Sequence, residues 1–378
     1  MMPAADAALV LDLLRLRGGP DAGSVAEAWL RASGNPILPA LLRLEGAELW
    51  LYRRLRELKL SSEPALAEAL RAAAHGDALL GLRVDEETEA VAGILTGAGI
   101  PFSLIKGPAR RAAAARYPFA DARSTCDVDL LVPEAVAEPA WAALTAAGYE
   151  PVDPSGTPDE HFHLPPLWTA RRVAVELHTS TSAWVAPAEA WRRVTDGADV
   201  VQWAGRGVPV GSATELLWHG LSHAFMHGGD GVRLRTFLDG ASILASGHAI
   251  DWSVVESRID GGEVRNPESG AAFRPRELRR WIATAGMLAG VDVPPAMSRD
   301  GRCPLTQLLR WRSMALGAPV GRAGRGRLLE EAARSEFGMP LTPTLPHQSR
   351  YRWVRRFVAS AAARAAYVGW RAITPAPA

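Results

Sequence analysis

The sequence predicts an α+β protein in which a small mixed sheet is flanked by N-terminal and C-terminal helical regions. Apolar residues recur at helical spacing up to about residue 96 and again after about residue 211. Between these regions, short segments alternate apolar and polar residues and are separated by turn residues, which is typical of strands. We therefore expect a helical region at 1–96, a mixed α/β core at 97–210 and a second helical region at 211–378.

The composition excludes several classes of protein. The chain has 378 residues, of which 48% are hydrophobic and 22% are charged, as in ordinary globular proteins. These values exclude a wholly disordered chain and a collagen-like fibre, and two cysteines, Cys126 and Cys303, cannot form a disulfide framework. A net charge of +1 provides no overall field that would attract nucleic acid or acidic lipids.

The first residues do not resemble a secretory signal peptide. They lack a basic region, and Asp6 and Asp12 interrupt the apolar stretch. No window of the sequence reaches the roughly 18 uninterrupted apolar residues of a membrane-spanning helix. We therefore expect a cytoplasmic protein without a transmembrane segment.

Helices are predicted throughout the N-terminal region, and two of its stretches show clear helical periodicity. The first carries Leu41, Leu44, Leu49 and Leu51 among charged residues at helical spacing. The second covers 64–96, where stripes of Ala and Leu alternate with acidic residues and arginines. Both helices precede the change of pattern that marks the start of the mixed region.

The mixed region alternates short apolar strands with short helices, which predicts a sheet covered by helices. The predicted elements are, in chain order, a strand at 102–105, a helix at 109–116, a strand at 126–132, a helix at 134–147, a short strand within 161–168, a strand at 171–179, a helix at 187–194 and a hairpin at 200–211.

Helices are predicted again over most of the C-terminal region. The first two cover 213–227 and 232–246, and loops rich in Gly, Pro and Asp are expected near 261–270 and 293–302. The last helix, at 351–372, is basic and amphipathic. Its aromatic face could pack on its own domain, lie on a membrane surface or bind a partner.

Two carboxylates in the mixed region have the spacing of a metal site. Asp127 and Asp129 lie at i and i+2 of a predicted strand, so both point to one face, roughly 7 Å apart. They could reach divalent cations lying about 3.5–4 Å apart, and Glu176, which interrupts an apolar strand, is the best third carboxylate for the oxygen-rich site that Mg²⁺ prefers. The same alternation directs Cys126 away from the carboxylates, into the core. The alternative is that both aspartates are solvent-facing charges on an edge strand.

Lysine is rare in this chain. Only two of the 42 basic residues are lysines, Lys59 and Lys106, and the others are arginines. Lys59 ends an Arg-rich helix, where a positive charge is favourable. Lys106 precedes Gly107 at the end of a predicted strand, where it either contributes a compact positive charge to a ligand site or caps the strand.

The histidines of the C-terminal region share one helix face. His219, His223 and His227 lie at i, i+4 and i+8. A zinc protease site is not favoured, because no Glu follows the first His. We expect packing and hydrogen-bonding histidines that line a cleft, with His223 and His227 as possible ligand contacts. His178, two residues after Glu176, could orient a ligand, contact substrate or be a partly buried polar residue.

Four segments together resemble a known family. They are LIKG, RYPFADARSTCDVDLLV, VAVELH and LLWHGLSHAFMHGGDGVRLRTFLD, within about residues 97–245. Their order resembles that of the uncharacterised nucleotidyltransferase family of the DNA polymerase β superfamily. In that family a Leu-Lys-Gly turn, an Arg before an Asp-x-Asp strand, an acidic-x-His strand and a helix with spaced histidines follow one another. The resemblance implies that the mixed sheet is a nucleotidyltransferase core.

The resemblance also assigns roles to individual residues. The carboxylates of Asp127, Asp129 and Glu176 match the family's catalytic metal ligands. Lys106 and Gly107 match the nucleotide-binding turn, and Arg123 matches a neighbour of the phosphates or the metal loop. Pro108, which follows the turn, departs from the wider superfamily because it has no amide hydrogen to donate to a phosphate. The charge of Lys106 could replace that donor.

The function that the resemblance implies is transfer of a nucleoside monophosphate from an NTP, such as ATP, to an acceptor. Mg²⁺ or Mn²⁺ would be the metal, pyrophosphate would be released, and the acceptor could be a small molecule, a peptide or a protein. Nucleic acid is not favoured, because no basic stripe with interleaved aromatic residues flanks the carboxylates. The alternatives are a nucleotidylyltransferase that modifies proteins and a non-catalytic module that binds nucleotide or a partner.

Overall fold

A computed structural model provides the structure of the chain. It describes residues 2–123, 125–151, 162–169, 173–203, 205–226, 232–266 and 270–317. All of these residues fall within one compact unit. The fold is α+β, with a seven-stranded mixed sheet between helices, which confirms the predicted fold class. The division at residues 97 and 211 stays a prediction.

The N-terminal helices bury leucine and tryptophan side chains. The longest helix has Pro64 at its first position, where the fixed φ of proline suits a helix start, and it buries Leu66, Leu70, Val84 and Val91. It matches the helix predicted at 64–96. The five helices are α1 (Ala4–Leu13), α2 (Ala22–Ser33), α3 (Leu38–Glu45), α4 (Glu48–Glu57) and α5 (Pro64–Gly97).

The sheet has two parallel strand pairs in its interior, and the strand pairs at its edges are antiparallel. Its strands are β1 (Ser103–Leu104), β2 (Asp127–Leu131), β3 (Glu150–Pro151), β4 (Leu167–Trp168), β5 (Ala174–His178), β6 (Asp199–Trp203) and β7 (Arg206–Val210). Their spatial order is β3-β4-β5-β2-β1-β7-β6. The pairs β2–β5 and β1–β7 are parallel, and the others are antiparallel. The predicted hairpin at 200–211 is confirmed as β6 and β7.

The register between β2 and β5 determines which side chains meet. Asp129 pairs with Glu176 and Asp127 pairs with Ala174, while the next residues in register are Leu131 and His178. Because side chains alternate along a strand, these residues share one face of the sheet. The opposite face is apolar and buried: Val128, Leu130, Val175 and Leu177.

Three helices accompany the strands. They are α6 (Lys106–Ala112), α7 (Ala137–Ala146) and α8 (Pro187–Thr195). The helix expected at 109–116 begins earlier, at Lys106, because the chain turns directly from β1 into α6. The helix expected at 134–147 starts with a 3-10 turn, Glu134–Val136, before α7. The expectation that Cys126 is in the core is wrong, since this residue precedes β2 and is exposed.

The C-terminal helices pack around α10, which lies against α9 and α12. The helices are α9 (Ala213–Met226), α10 (Leu234–Ala245), α11 (Trp252–Asp260), α12 (Pro275–Ala289), α13 (Pro295–Ser298) and α14 (Leu305–Gly317). The short helix α13 falls within a predicted loop. The predicted amphipathic helix at 351–372 lies outside the described residues. Within the part of the chain that is described, no helix is long and apolar enough to cross a membrane.

Candidate active site

The carboxylates of Asp129 and Glu176 lie side by side where β2 and β5 pair. Asp129 is buried, with a side chain 1% exposed, whereas the Glu176 side chain is 23% exposed. Asp127 lies on the same strand face, at the start of β2, and is half-buried. The structure therefore brings the three predicted carboxylates to one face, with Asp129 and Glu176 as the adjacent pair.

The ammonium group of Lys106 lies among these side chains. Lys106 Nζ is 2.6 Å from Asp129 Oδ1, 3.7 Å from Glu176 Oε2 and 3.3 Å from His178 Nε2. Lys106 has φ of 52°, in the left-handed region that non-glycine residues rarely adopt. This conformation at the start of α6 accompanies a side chain that reaches into the sheet face.

The imidazole of His178 lies beside the same two carboxylates, Asp129 and Glu176. Its Nε2 lies 2.9 Å from Asp129 Oδ1 and 3.3 Å from Glu176 Oε2. The ring is buried against Phe162 and His163, with ring centroids 5.7 and 5.2 Å away. The ring atom Nδ1 is also buried and has no hydrogen-bond partner among the described residues. His178 is thus fixed with one nitrogen directed at the carboxylates.

These side chains could hold one metal ion. Asp129, Glu176 and His178 each offer one ligand atom, and the three atoms lie within 4.8 Å of one another. Two carboxylate oxygens and an imidazole nitrogen form a donor set that suits several divalent metals. The ammonium of Lys106 already lies against all three donors, which shows that a positive charge fits this position. Asp127 is outside this group and lies nearer the start of β2.

The charges of the site change the pKa of every carboxyl in it. Burial and the repulsion of Asp129 and Glu176 raise the pKa of Asp127 to about 6. Burial also opposes ionisation of Asp129 and Glu176, yet Lys106 and His178 lower the pKa of both carboxyls. Burial alone would lower the pKa of Lys106, but the attraction of the same carboxylates is stronger and raises it. Lys106, Asp129 and Glu176 are therefore all charged at neutral pH.

A second charged cluster lies beside the carboxylates. The buried carboxylate of Asp239, on α10, forms ion pairs with Arg110 at 2.7 Å and Arg123 at 3.1 Å. Burial, followed by the repulsion of Arg123, lowers the pKa of Arg110 to about 10, whereas the two arginines lower the pKa of Asp239 against the effect of burial. Two guanidinium groups thus share one carboxylate, and positive charge is in excess.

Gly107 connects the two clusters. A Cβ atom at this position would lie 2.5 Å from Arg123 Nη1 and 2.5 Å from Thr125 Cγ2. Arg123 in turn donates from Nη1 to Thr125 Oγ1 at 3.3 Å. Only glycine allows this close packing of Arg123 on the residue that follows Lys106.

The histidines of α9 differ in their surroundings. His219 is buried, and burial, with the charges of Lys106 and His178, lowers its pKa to about 3. Its Nε2 has no hydrogen-bond partner within the described part of the chain. The His223 ring lies 6.3 Å from the His219 ring, and His227 is outside the described residues. Burial and the charges of Lys106 and His178 therefore keep His219 neutral at neutral pH.

Sequence reasoning assigned no role to three residues of this region, Arg110, His163 and Asp239. Arg110 and Asp239 belong to the buried arginine cluster, and the His163 ring packs against His178. The sequence contained a signal for Asp239, because it is an acidic residue within a largely apolar segment of α10. The sequence contained no such signal for Arg110, because it is one of several arginines in an Ala-rich run.

One comparison with known proteins matches the chain. The model of the uncharacterised nucleotidyltransferase family matches residues 38–278, more than half of the chain. This segment includes every strand of the sheet and all the side chains described above. No curated protein and no solved structure matches the chain significantly. The protein therefore belongs to the uncharacterised nucleotidyltransferase family, as the order of its Lys-Gly, Asp-x-Asp and Glu-x-His segments predicts.

Proposed function

We propose that this protein is a divalent-metal-dependent enzyme that transfers a nucleoside monophosphate from an NTP to an acceptor hydroxyl and releases pyrophosphate. The observation that supports it most is the convergence of Asp129, Glu176 and His178 on one cation position in a member of a nucleotidyltransferase family. The acceptor classes are a small molecule, a peptide or a protein.

Asp129, Glu176 and His178 would hold the metal, which would neutralise charge that develops on the transferring phosphate and the leaving pyrophosphate. Asp127, on the same face and half-buried, would take part in holding a second cation that enters with the nucleotide. Mg²⁺ and Mn²⁺ both accept carboxylate ligands, and the imidazole of His178 suits Mn²⁺ better than Mg²⁺.

Positive side chains would bind the triphosphate. Lys106 precedes Gly107, Arg123 packs on Gly107, and Arg110 shares Asp239 with Arg123. A triphosphate near the start of α6 would therefore meet excess positive charge. Such fixed charges supply much of the rate of phosphoryl transfer, because they need no reorganisation during the reaction.

The reaction balances without any further reagent. The acceptor oxygen would form a bond to the α-phosphorus while the bond from that phosphorus to the α–β bridging oxygen breaks. Pyrophosphate would leave with the electron pair of the broken bond. The proton of the acceptor would pass to a carboxylate of the site, and Glu176, more exposed than Asp129, is the member we assign to this role.

The test begins with nucleotide binding. We expect one NTP with Mg²⁺ or Mn²⁺ to raise the melting temperature, because a ligand that binds the folded state stabilises it. NTP labelled at the α-phosphate should then transfer its label to a small-molecule or protein fraction, with release of pyrophosphate. Binding without transfer to any fraction would favour the non-catalytic module instead.

Two substitutions separate binding from chemistry. Asp129→Asn should abolish both metal-dependent nucleotide binding and transfer. Glu176→Gln should retain nucleotide binding and lower transfer by on the order of 100-fold, as expected for loss of a positioned base. Glu134→Gln removes an exposed acidic residue and serves as the matched control, with unchanged transfer. Transfer by Asp129→Asn at the wild-type rate would contradict the proposal.

A further inference from the structure

The most unusual feature of the site is that one side chain of the protein already contacts all three candidate metal ligands. Lys106 Nζ lies 2.6 Å from Asp129 Oδ1, 3.3 Å from His178 Nε2 and 3.7 Å from Glu176 Oε2. We propose that Lys106 is a tethered cation that occupies the metal position, and that a divalent ion binds by displacing its ammonium group. The inference rests on the metal site of the proposed function, and on no step of its chemistry.

Both cations cannot contact these donors at once. A divalent metal binds carboxylate and imidazole ligands at about 2.0–2.2 Å, and the three donor atoms here lie within 4.8 Å of one another. A metal among them would lie next to the present position of Lys106 Nζ, where the two positive charges would repel each other strongly in a buried site. The ammonium group therefore has to leave before the metal is bound by all three ligands.

The side chain of Lys106 is free to move more than its partners are. Its side chain is 15% exposed, in contrast to Asp129 and His178 at 1%, so it has a route out while its partners stay fixed. Its stem is flexible, whereas the guanidinium of Arg123 is held by Asp239 and by close packing on Gly107. A displaced ammonium next to Arg123 would add to the positive charge offered to a triphosphate.

This exchange links metal binding to anion binding. In the metal-free protein Lys106 neutralises Asp129 and Glu176, so the carboxylates and the lysine screen each other. After metal binds, the carboxylates are neutralised by the metal and Lys106 is free. We therefore expect the metal to bind first or together with the nucleotide, and the free protein to bind triphosphate weakly.

The scarcity of lysine gives a direct experiment. The chain has only two lysines, and Lys59 is exposed in the turn that follows α4, so it serves as an internal reference. The full-length protein is treated with an amine-acylating reagent, with and without Mn²⁺ and without nucleotide, and modification at each lysine is followed by mass spectrometry. We expect Mn²⁺ to raise the modification rate of Lys106 by about 10-fold or more, because a displaced amine no longer lies against Asp129, Glu176 and His178 and is open to the reagent. The rate of Lys59 should not change.

Mn²⁺ affinity provides the second measurement. Calorimetric titration of Lys106→Met with Mn²⁺ should give an affinity at least about 10-fold higher than that of the wild type, because no ammonium has to be displaced. Arg235→Met is the matched control, because it also removes a positive charge, near Arg123. Arg235 makes no ion pair with a carboxylate of the described residues. Its effect on Mn²⁺ affinity should be several-fold smaller.

Three results would overturn the inference. The first is Mn²⁺ binding to the wild type while the modification rate of Lys106 stays constant or falls. The second is an equal rise in Mn²⁺ affinity in Lys106→Met and Arg235→Met. That result would indicate a general effect of removing positive charge, and not competition between Lys106 and the metal for one position. The third is absence of Mn²⁺ binding in both the wild type and Lys106→Met. Because neither experiment uses an NTP or an acceptor, failure of nucleotidyl transfer would leave a positive result intact.

Discussion

At the scale of single residues, Asp127 is a carboxyl of the site whose protonation the fold changes within an accessible pH range. Burial, with repulsion from Asp129 and Glu176, raises the pKa of Asp127 to about 6 from 3.8. Between these two values the folded, metal-free protein holds this proton more tightly than the unfolded chain does. The stability provided by protonation is therefore present at acid pH and is lost as the pH rises through about 6.

Asp127→Asn should remove this pH dependence. An amide is neutral at every pH, so we expect the metal-free variant to melt at a higher temperature than the wild type at about pH 7.5, and at nearly the same temperature at about pH 4.5. The measurement is the melting temperature across this range with a chelator present. Mn²⁺ should then stabilise the variant less than the wild type. An equal difference at both pH values would show that the substitution acts through packing.

At the scale of elements, two glycines in helices have opposite surroundings. Gly107, in the first turn of α6, lies where a Cβ would be 2.5 Å from Arg123 Nη1 and Thr125 Cγ2. Gly76, inside α5, has no atom within 4 Å of the position of a Cβ. An added methyl group would therefore be overpacked at Gly107 in α6. At Gly76 in α5 it would meet no neighbour and would increase helix propensity.

Substituting alanine at each position tests this difference. Gly107→Ala should destabilise the protein by about 1–3 kcal/mol, the usual range for overpacking, and should displace Arg123. Gly76→Ala should stabilise it by about 0.5–1 kcal/mol, because alanine favours a helix more than glycine does. Urea denaturation measures both. A neutral Gly107→Ala variant would mean that Arg123 moves freely, which would contradict its role as a fixed part of the phosphate site.

At the scale of the whole molecule, local sequence patterns predicted β2, β5 and the hairpin of β6 and β7, but not the register between β2 and β5. The alternation that predicts β2 and β5 is a property of short segments, so it places Asp127, Asp129 and Glu176 on strand faces. The pairing of two parallel strands joined by a long crossover is not a local property. The sequence therefore did not indicate that Glu176 lies beside Asp129 instead of Asp127.

Buried charges were the other limit of sequence reasoning. Lys106 stood out through its rarity, yet its contact with Asp129 joins residues 23 positions apart, and the sequence did not indicate the left-handed backbone conformation of Lys106. The pairing of Arg110 and Arg123 with Asp239 joins segments more than 100 residues apart, since Arg123 and Asp239 differ by 116 positions. Such pairs form only when helices and sheet assemble, so they cannot be predicted from any single segment.

A buried ion pair joins an N-terminal helix to the last described helix. Arg312, on α14, donates from Nη1 to both carboxylate oxygens of Glu45, on α3, at 2.5 and 2.6 Å. Glu45 Oε2 also accepts from the backbone N–H of Leu234 at 2.8 Å, at the start of α10. Both side chains are almost fully buried. This pair therefore connects the N-terminal helices to the helix that carries Asp239.

Removing one partner should cost far more than removing both. Arg312→Met leaves a buried carboxylate without its counterion, which typically destabilises a protein by about 3–5 kcal/mol. In the double variant Glu45→Met and Arg312→Met no charge remains buried, so we expect a smaller loss, although the backbone N–H of Leu234 then lacks its acceptor. Guanidinium chloride denaturation, followed by far-UV circular dichroism and tryptophan fluorescence, measures the free energy of unfolding of each variant. We expect both probes to give one coincident transition, because the ion pair joins the N-terminal and C-terminal helices in a single cooperative unit. Two separate transitions in the wild type, or an Arg312→Met variant as stable as the wild type, would contradict this connection.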